Sequence, residues 1–458
     1  MFKKLLVANR GTIAIRIIRA CRELGISTVA VYSTADKDAL HVRMADESVC
    51  IGPPAAENSY LNIPSILSAA TTFGADAVHP GYGFLSENGD FAEACQRSGL
   101  TFVGPRARHI RLMGDKPRAR RIMTRAGVPV LPGSEGKGVT ELRDALADGK
   151  RLGFPVLIKA AAGGGGKGMR VVRDTDELAK MFLIAQGESE AAFGSRTMYL
   201  EKYLERARHV EFQIVADSHR NVIHLGERDC SIQRRHQKVI EESPCPALNE
   251  RLRQKMGKAA VRAAEVVGYS NVGTVEFLLA PNHEFYFIEM NTRIQVEHGV
   301  TEMVTGIDLV KESIRLATGE PLGIKQKQVT FNGAAMEFRI YAEDPERHIP
   351  SPGLVTHHHP AGGLGVRVET ALYDGYRVPV HYDPLVAKLI VQGAKRKEAL
   401  ARARAALREY QIDGIKTNIP LHLKILHDPE FIRGEFATDF LSRYEKRAPA
   451  PEAALKAS

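Results

Sequence analysis

The chain has 458 residues, 44% of them hydrophobic and 26% charged, with a formal net charge of +9. At about 150 residues per domain that length carries about three structural units, and no stretch approaches the ~18 uninterrupted apolar residues of a membrane span. Basic residues are interspersed with acidic ones and there is no tryptophan to stack a base, so small polyanionic substrates or an acidic partner account for the charge without nucleic acid.

The N-terminus, MFKKLLVANRG, is too briefly apolar for a secretory signal and reads as a first strand. Residues 4–9 form that strand. Residues 10–24 follow as a helix with Ile13, Ile17, Ala20, Cys21 and Leu24 on one stripe and Gly25 as its cap. A strand at 28–32, a helix near 63–73, a strand at 77–78, a helix at 91–98 and a strand at 101–103 continue the alternation. This order predicts a parallel α/β sheet. The first strand–helix turn reads ANRGTIA, with one glycine where a dinucleotide site needs G-x-G-x-x-G, so a nicotinamide-dependent oxidoreductase is excluded. A second unit starts near Gly127 and ends near Tyr203, and a third, rich in strands, runs from Val210 to about Tyr444. The ending APAPEAALKAS has linker composition and is expected to lie outside the fold. Five cysteines (Cys21, Cys50, Cys95, Cys230, Cys245) contain no CxxC pair and read as reduced thiols in a cytoplasmic compartment.

Within the second unit, LIKAAAGGGGKGMRVV (157–172) is not a P-loop. Ala161 stands where GxxxxGK[ST] needs its first glycine, and Gly168 stands at the Ser/Thr position. Both flanks are β-rich, which suggests a hairpin whose tip folds over phosphates, with Lys159 reaching phosphate oxygens and Lys167 helping at the tip. A loose hairpin is the alternative. In YLEKYLE (199–205) the backbone of Glu201 to Leu204 is placed to pair with an adenine edge.

The most informative stretch is VGTVEFLLAPNHEFYFIEMNTRIQVEH (272–298). Pairing Ala280 with Phe285 across a four-residue turn at 281–284 makes Glu276 face Glu289. Two carboxylates ~5 Å apart on one sheet face repel by ~3 kcal/mol at an effective dielectric near 20. A divalent, oxygen-seeking cation such as Mg²⁺ converts that repulsion into binding. If the chain stays extended, Glu289, Asn291, Arg293, Gln295 and Glu297 line one side. Such a row suits phosphoryl transfer to a small anionic acceptor. GERDCSIQRRHQKVIEESP (226–244) gathers Arg228, Arg234, Arg235, His236 and Lys238 into an expected anion-binding wall. Cys230 within it lacks a base partner and reads as a buried, inert thiol.

The stretches LLVANRGTIAIRIIRAC, HPGYGFLSEN, MGDK, GGGGKGM, EKYLE, RHVEFQ, ERDCSIQRRHQKVIEE, FIEMNTRIQVEH, EFRIYAEDP, IPSPG and IDGIKTN together resemble biotin carboxylases, from about residue 5 to 418. The resemblance implies an α/β ATP-grasp fold. It divides into a Rossmann-like N-terminal domain at 1–114 and an ATP-grasp region at 115–330, with a hinged glycine-rich lid at about 131–203. A mixed α+β C-terminal domain at 331–446 and a disordered tail at 447–458 complete it. It also implies ATP- and bicarbonate-dependent carboxylation of biotin on a carrier protein. ATP would be held by Lys116, Lys159, Gly165, Gly166, Glu201, Lys202, Leu204, His209, Gln233 and His236. Glu276, Glu289 and Asn291 would hold Mg²⁺ (or Mn²⁺). Lys238, Arg293, Gln295 and Val296 would position bicarbonate, with Glu297 as base, Arg339 stabilising the biotin enolate and Tyr82 lining the biotin pocket.

The same resemblance implies a homodimeric subunit. It would meet a biotin carboxyl carrier protein and a carboxyltransferase in trans, because no Met-Lys-Met biotinylation site occurs in the chain. Acetyl-CoA carboxylase is the expected parent complex, with pyruvate, 2-oxo-acid and other acyl-CoA carboxylases as alternatives. A different acceptor, as in carbamoyl-phosphate synthesis or a purine-pathway carboxylation, and a non-enzymatic nucleotide sensor are the competing readings. Three departures from the family stand out, one of them Lys167, where arginine is also common and nothing is put in doubt. Gly299 replaces a usual proline, which is expected to loosen the chain after the base, and Phe338 and Tyr341 flank Arg339 where Cys and Asn are frequent.

Overall fold

The computed structural model describes residues 1–134, 138–161 and 169–446. Five parallel strands form the N-terminal sheet, in the order Glu47–Gly52, Ser27–Ser33, Lys4–Val7, Ala77–His79, Thr101–Phe102. The predicted alternation is present, with element ends displaced by a residue or two. The helix Gly11–Glu23 buries the expected Ile13, Ile17, Ala20 and Cys21, and Gly25 takes φ +69° just beyond it. It also buries Ala14, Ile15, Arg16 and Ile18, because its other face meets the helix Leu309–Ala317 and the strand Val366–Thr370. A single apolar stripe understates a helix clamped on two sides.

The second unit is a three-stranded antiparallel sheet, in the order Arg170–Val172, Val156–Ala160, Met198–Lys202, packed on the helices Leu142–Leu152 and Thr175–Phe193. Val156 pairs with Val172 and Ile158 with Arg170, so the two flanks of the glycine run do form a hairpin. Gly165, Gly166 and Lys167 at its tip lie outside the described residues, as do residues 447–458.

The centre of the molecule is one eight-stranded antiparallel sheet. Its order is Phe285–Asn291, Asn271–Leu279, Arg208–Ala216, Val222–Arg234, Gln237–Ser243, Ala334–Tyr341, Leu385–Gly393, Val366–Thr370. Along its first strands Phe212, Phe277 and Phe287 belong to the apolar core beneath the helix Glu250–Val267. Strand alternation turns Glu211, Gln213 and Glu276 to the opposite face. Among the described residues no helix is long and apolar enough to cross a membrane. All five cysteines are free thiols.

Candidate active site

A cleft of about 1330 Å³ is lined from all three units. Its floor is the hairpin of Asn271–Leu279 with Phe285–Asn291, where Glu276 sits directly opposite Glu289. The route to that pairing differs from the sequence expectation. Ala280 exchanges hydrogen bonds with His283 and Glu284, and His283 adopts φ +66°, so the turn holds three residues rather than four. Leu279 therefore pairs with Phe285, and an unbroken ladder would set Glu276 against Ile288 with Glu289 on the other face. A bulge between Glu276 and Phe277 absorbs one residue and restores the carboxylate pair. On the other side Glu276 opposes Glu211, so three glutamates stand in a row across three strands.

Cations answer this row. Lys238 Nζ lies 3.0 Å from Glu276 Oε1 and 2.6 Å from Glu297 Oε1, and it also donates to Glu211. His209 Nε2 is 3.0 Å from Glu276 Oε2, and Lys116 Nζ is 3.3 Å from Glu289. Burial alone would lower the Lys238 ammonium, but the three glutamates hold it well above its ordinary value. Burial would raise Glu276 and Glu297, yet Lys238 with His209 and Lys238 with Arg339 and Arg228, respectively, hold both below the carboxylate range. Lys238 is the electrostatic centre of the site.

The predicted extended run ends at Asn291, and Glu297 instead caps the helix His298–Thr305 with ψ near 14°. The five side chains still converge. The Arg293 guanidinium donates to Gln295 Oε1 at 3.0 Å and Asn291 Oδ1 at 3.2 Å, and Gln295 Nε2 donates to Glu276 at 3.1 Å. Glu297 is fully buried beneath Lys238 and Arg339, the latter 2.9 Å away, and does not itself line the cleft. Gly299 sits buried in the first turn of that helix, so no loosening follows Glu297.

The remaining expected residues share the same cleft: Tyr82, Gln233, His236, Val296, Leu204, and the pair Lys159 and Glu201, which are ion-paired to each other. Lys202 faces it too, but its ammonium is tied to the carbonyls of Gly153 and Phe154. The turn Arg235–His236 has positive φ at both residues, the conformation of a two-residue hairpin that fits the strand twist. The expected basic wall is only partly present. Arg228 points inward to Glu211, Gln213, Thr274 and Thr301, and Arg234 forms a bidentate pair with Glu343 at 2.6–2.7 Å. Contrary to expectation Cys230 does have a carboxylate beside it, its Sγ lying 3.9 Å from Glu297 Oε1, but the thiol is buried and pushed well up by burial and Glu211, which keeps it protonated and inert.

Three residues escaped the sequence reading. Glu211 holds Lys238 and Arg228, Glu87 holds Arg293 at 3.1 Å, and Glu241 holds Arg339. Glu211 lies in RHVEFQ and Glu87 in HPGYGFLSEN, but only the strand order and a contact spanning 206 residues give them roles.

Three family models match the chain in succession. They are "Biotin carboxylase, N-terminal domain" over residues 1–110, "Carbamoyl-phosphate synthase L chain, ATP binding domain" over 115–325 and "Biotin carboxylase C-terminal domain" over 337–443. Biotin carboxylase 1 of Bacillus subtilis (strain 168) is 57% identical over 447 residues, which cover 97% of this chain and 99% of that one. The chain belongs to the biotin carboxylase family. It is thus an ATP-dependent ligase with an ATP-grasp fold, and the family's ATP, Mg²⁺ and biotin are its cofactor set. A crystal structure of a Campylobacter jejuni biotin carboxylase–β,γ-ATP complex superposes with a TM-score of 0.95 at 48% identity, covering 97% of this chain and 99% of that one. The biotin carboxylase domain dimer of Hydrogenobacter thermophilus 2-oxoglutarate carboxylase, solved with MgADP, ADP and bicarbonate, gives 0.94 at 48% identity, covering 98% and 100%. The two flanking models carry biotin carboxylase by name, which removes the carbamoyl and purine acceptors and the non-enzymatic sensor.

Proposed function

We propose that this biotin carboxylase serves an acetyl-CoA carboxylase, as a cytoplasmic homodimer that carboxylates biotin on a separate biotin carboxyl carrier protein and hands it to a carboxyltransferase subunit. The Hydrogenobacter relative, a domain dimer of a 2-oxoglutarate carboxylase, supports the dimer and keeps a 2-oxo-acid acceptor as the alternative, beside pyruvate and other acyl-CoA acceptors.

The observation that carries the mechanism is Lys238, whose one ammonium contacts a floor carboxylate, Glu276, and the buried Glu297 together. In this reading Lys116, Lys159 and His236 face the ATP phosphates with Gly165 and Gly166, while Glu201–Leu204, His209 and Gln233 surround the nucleoside. Glu276, Glu289 and Asn291 offer only oxygen donors that a hard divalent ion accepts, and they would hold Mg²⁺. Mg²⁺ bound there screens the charge of the phosphate oxygens. Bicarbonate lies between Lys238 and Arg293, with Gln295 and Val296 fixing its orientation. Its arrival gives Lys238 a further anion to serve, which weakens the hold on Glu297 and raises that carboxylate's affinity for a proton. Glu297 then takes the bicarbonate proton as bicarbonate oxygen attacks the γ-phosphorus. ADP leaves, and carboxyphosphate breaks into CO₂ and phosphate. The phosphate accepts the N1 proton of biotin. The resulting enolate, its charge met by Arg339 with Tyr82 lining the pocket, attacks CO₂.

The test is bicarbonate-dependent ADP release with and without free biotin. Stimulation by biotin is expected, and Arg339→Ala should depress the biotin-stimulated rate more than the biotin-independent one. Absence of stimulation, or equal losses in both assays, would overturn the assignment of roles.

A further inference from the structure

Behind the cleft lies a second pair of opposed carboxyls. Glu241 and Glu337 face each other directly across the strands Gln237–Ser243 and Ala334–Tyr341, and both are completely buried. Their Cβ atoms are therefore about 5 Å apart, within reach of one shared hydrogen. Glu241 spends one oxygen on Arg339, whose guanidinium also meets Glu297 at 2.9 Å. The other oxygen of Glu241 and both oxygens of Glu337 are buried with no hydrogen-bond partner among the described residues.

Two full charges there are untenable. An ionised carboxylate buried without a donor costs several kcal/mol, whereas a carboxylic acid needs only one acceptor. The neighbouring cations are already committed. Arg339 serves Glu241 and Glu297, and Lys388 serves Glu369 at 2.7 Å and the Val296 carbonyl at 2.7 Å, with Glu337 left at 3.7 Å. Tyr82, Lys238, Tyr341 and Cys230 are further ionisable groups that bear on the pair. Gly299 closes the space on the helix side: a Cβ there would lie 3.1 Å from Glu337 Oε2 and 2.3 Å from Ile390 Cδ1. Across the strand register, the residue that faces Glu337 with an unused oxygen is Glu241.

We propose that Glu337 carries a proton that it shares with Glu241, and that this acid–carboxylate pair is the positioning device for Arg339, keeping its guanidinium beside Glu297 with one negative charge behind it instead of two. The directions of titration agree. Burial raises both groups, Glu241 to about 7 and Glu337 to about 8, against the opposing pull of Arg339 and Lys388. As pH rises through that window the shared proton is lost and a second charge appears behind Arg339. The enolate then competes for the guanidinium at a disadvantage, and biotin carboxylation falls while biotin-independent ATP cleavage is spared. The kinetic part rests on the role given to Arg339 above; the proton itself does not.

Infrared difference spectra of the whole protein test the proton directly. The expected result is a carbonyl stretch of a protonated carboxylic acid at neutral pH, lost as pH rises past about 8 and absent from Glu337→Gln. Glutamine imitates the protonated acid, so Glu337→Gln should keep biotin carboxylation within about threefold and lose the alkaline decline, while Glu241→Gln loses about tenfold to hundredfold of it by removing the charge on Arg339. An infrared signal unchanged in Glu337→Gln would overturn the proposal. So would a Glu337→Gln protein that loses as much activity as Glu241→Gln, or one that fails to fold, since a position that is already neutral accepts its amide isostere. If Arg339 has another role, the kinetic split disappears and the infrared result stands.

Discussion

In the N-terminal parallel sheet the strands bury Leu5, Leu6, Val29, Val31 and Val78, and no carboxylate, lysine or arginine. The central antiparallel sheet buries Glu211, Arg228, Glu241, Glu276, Glu337, Arg339 and Lys388 in its strands. The first pattern is what helices on both faces of a parallel sheet require. The second is costly, since each buried ion must be repaid by a partner. Where repayment is complete, as at Arg228, the charge is architecture. Where it is shared, as at Lys238 among three glutamates, an incoming anion or cation can redistribute it. Function belongs to the sheet whose charges are not each matched one to one.

Three substitutions sharpen that contrast. Glu297→Gln should leave ATP binding nearly intact and slow bicarbonate-dependent ATP cleavage by about 10²–10⁴-fold, the usual contribution of a placed base. Retained turnover would make Glu297 another architectural charge. Arg228→Ala removes one of the two cations paired to the buried Glu211 and should cost about 3–5 kcal/mol in a denaturant titration. A small cost would show that Lys238 alone neutralises Glu211. Ile17→Val, in the helix beside the parallel sheet, should cost about 0.5–1.5 kcal/mol and leave the kinetics of biotin carboxylation unchanged. A kinetic defect there would erase the division of labour between the sheets.

Four of the five parallel strands were legible because their signal is local: apolar runs alternate with helical stripes, and glycines such as Gly25 mark the ends, whereas the half-exposed edge strand Glu47–Gly52 carries no such run and was not read. The active-site hairpin was legible only in outcome. Glu276 does face Glu289, but through a three-residue turn compensated by a bulge, and neither leaves a clear mark in APNHEF. Asn291 to Glu297 converge through a turn where an extended strand was expected, because the helix His298–Thr305 begins at once. The partners Glu211, Glu87 and Glu241 were invisible for a different reason. Each acts across strands or units distant in sequence, and opposed positions are known only when strand order is known. Arg228 shows the converse, a basic residue in a basic segment that strand alternation turns inward.

The most direct test of the central chemistry is transfer of oxygen from bicarbonate to phosphate. With oxygen-18-labelled bicarbonate, phosphorus NMR of the phosphate released during biotin carboxylation should show one labelled oxygen per phosphate if, as we propose, bicarbonate attacks the γ-phosphorus in the cleft between Lys238 and Arg293. Unlabelled phosphate would mean that water attacks instead, and the assignment of Lys238, Arg293 and Glu297 to bicarbonate would be contradicted.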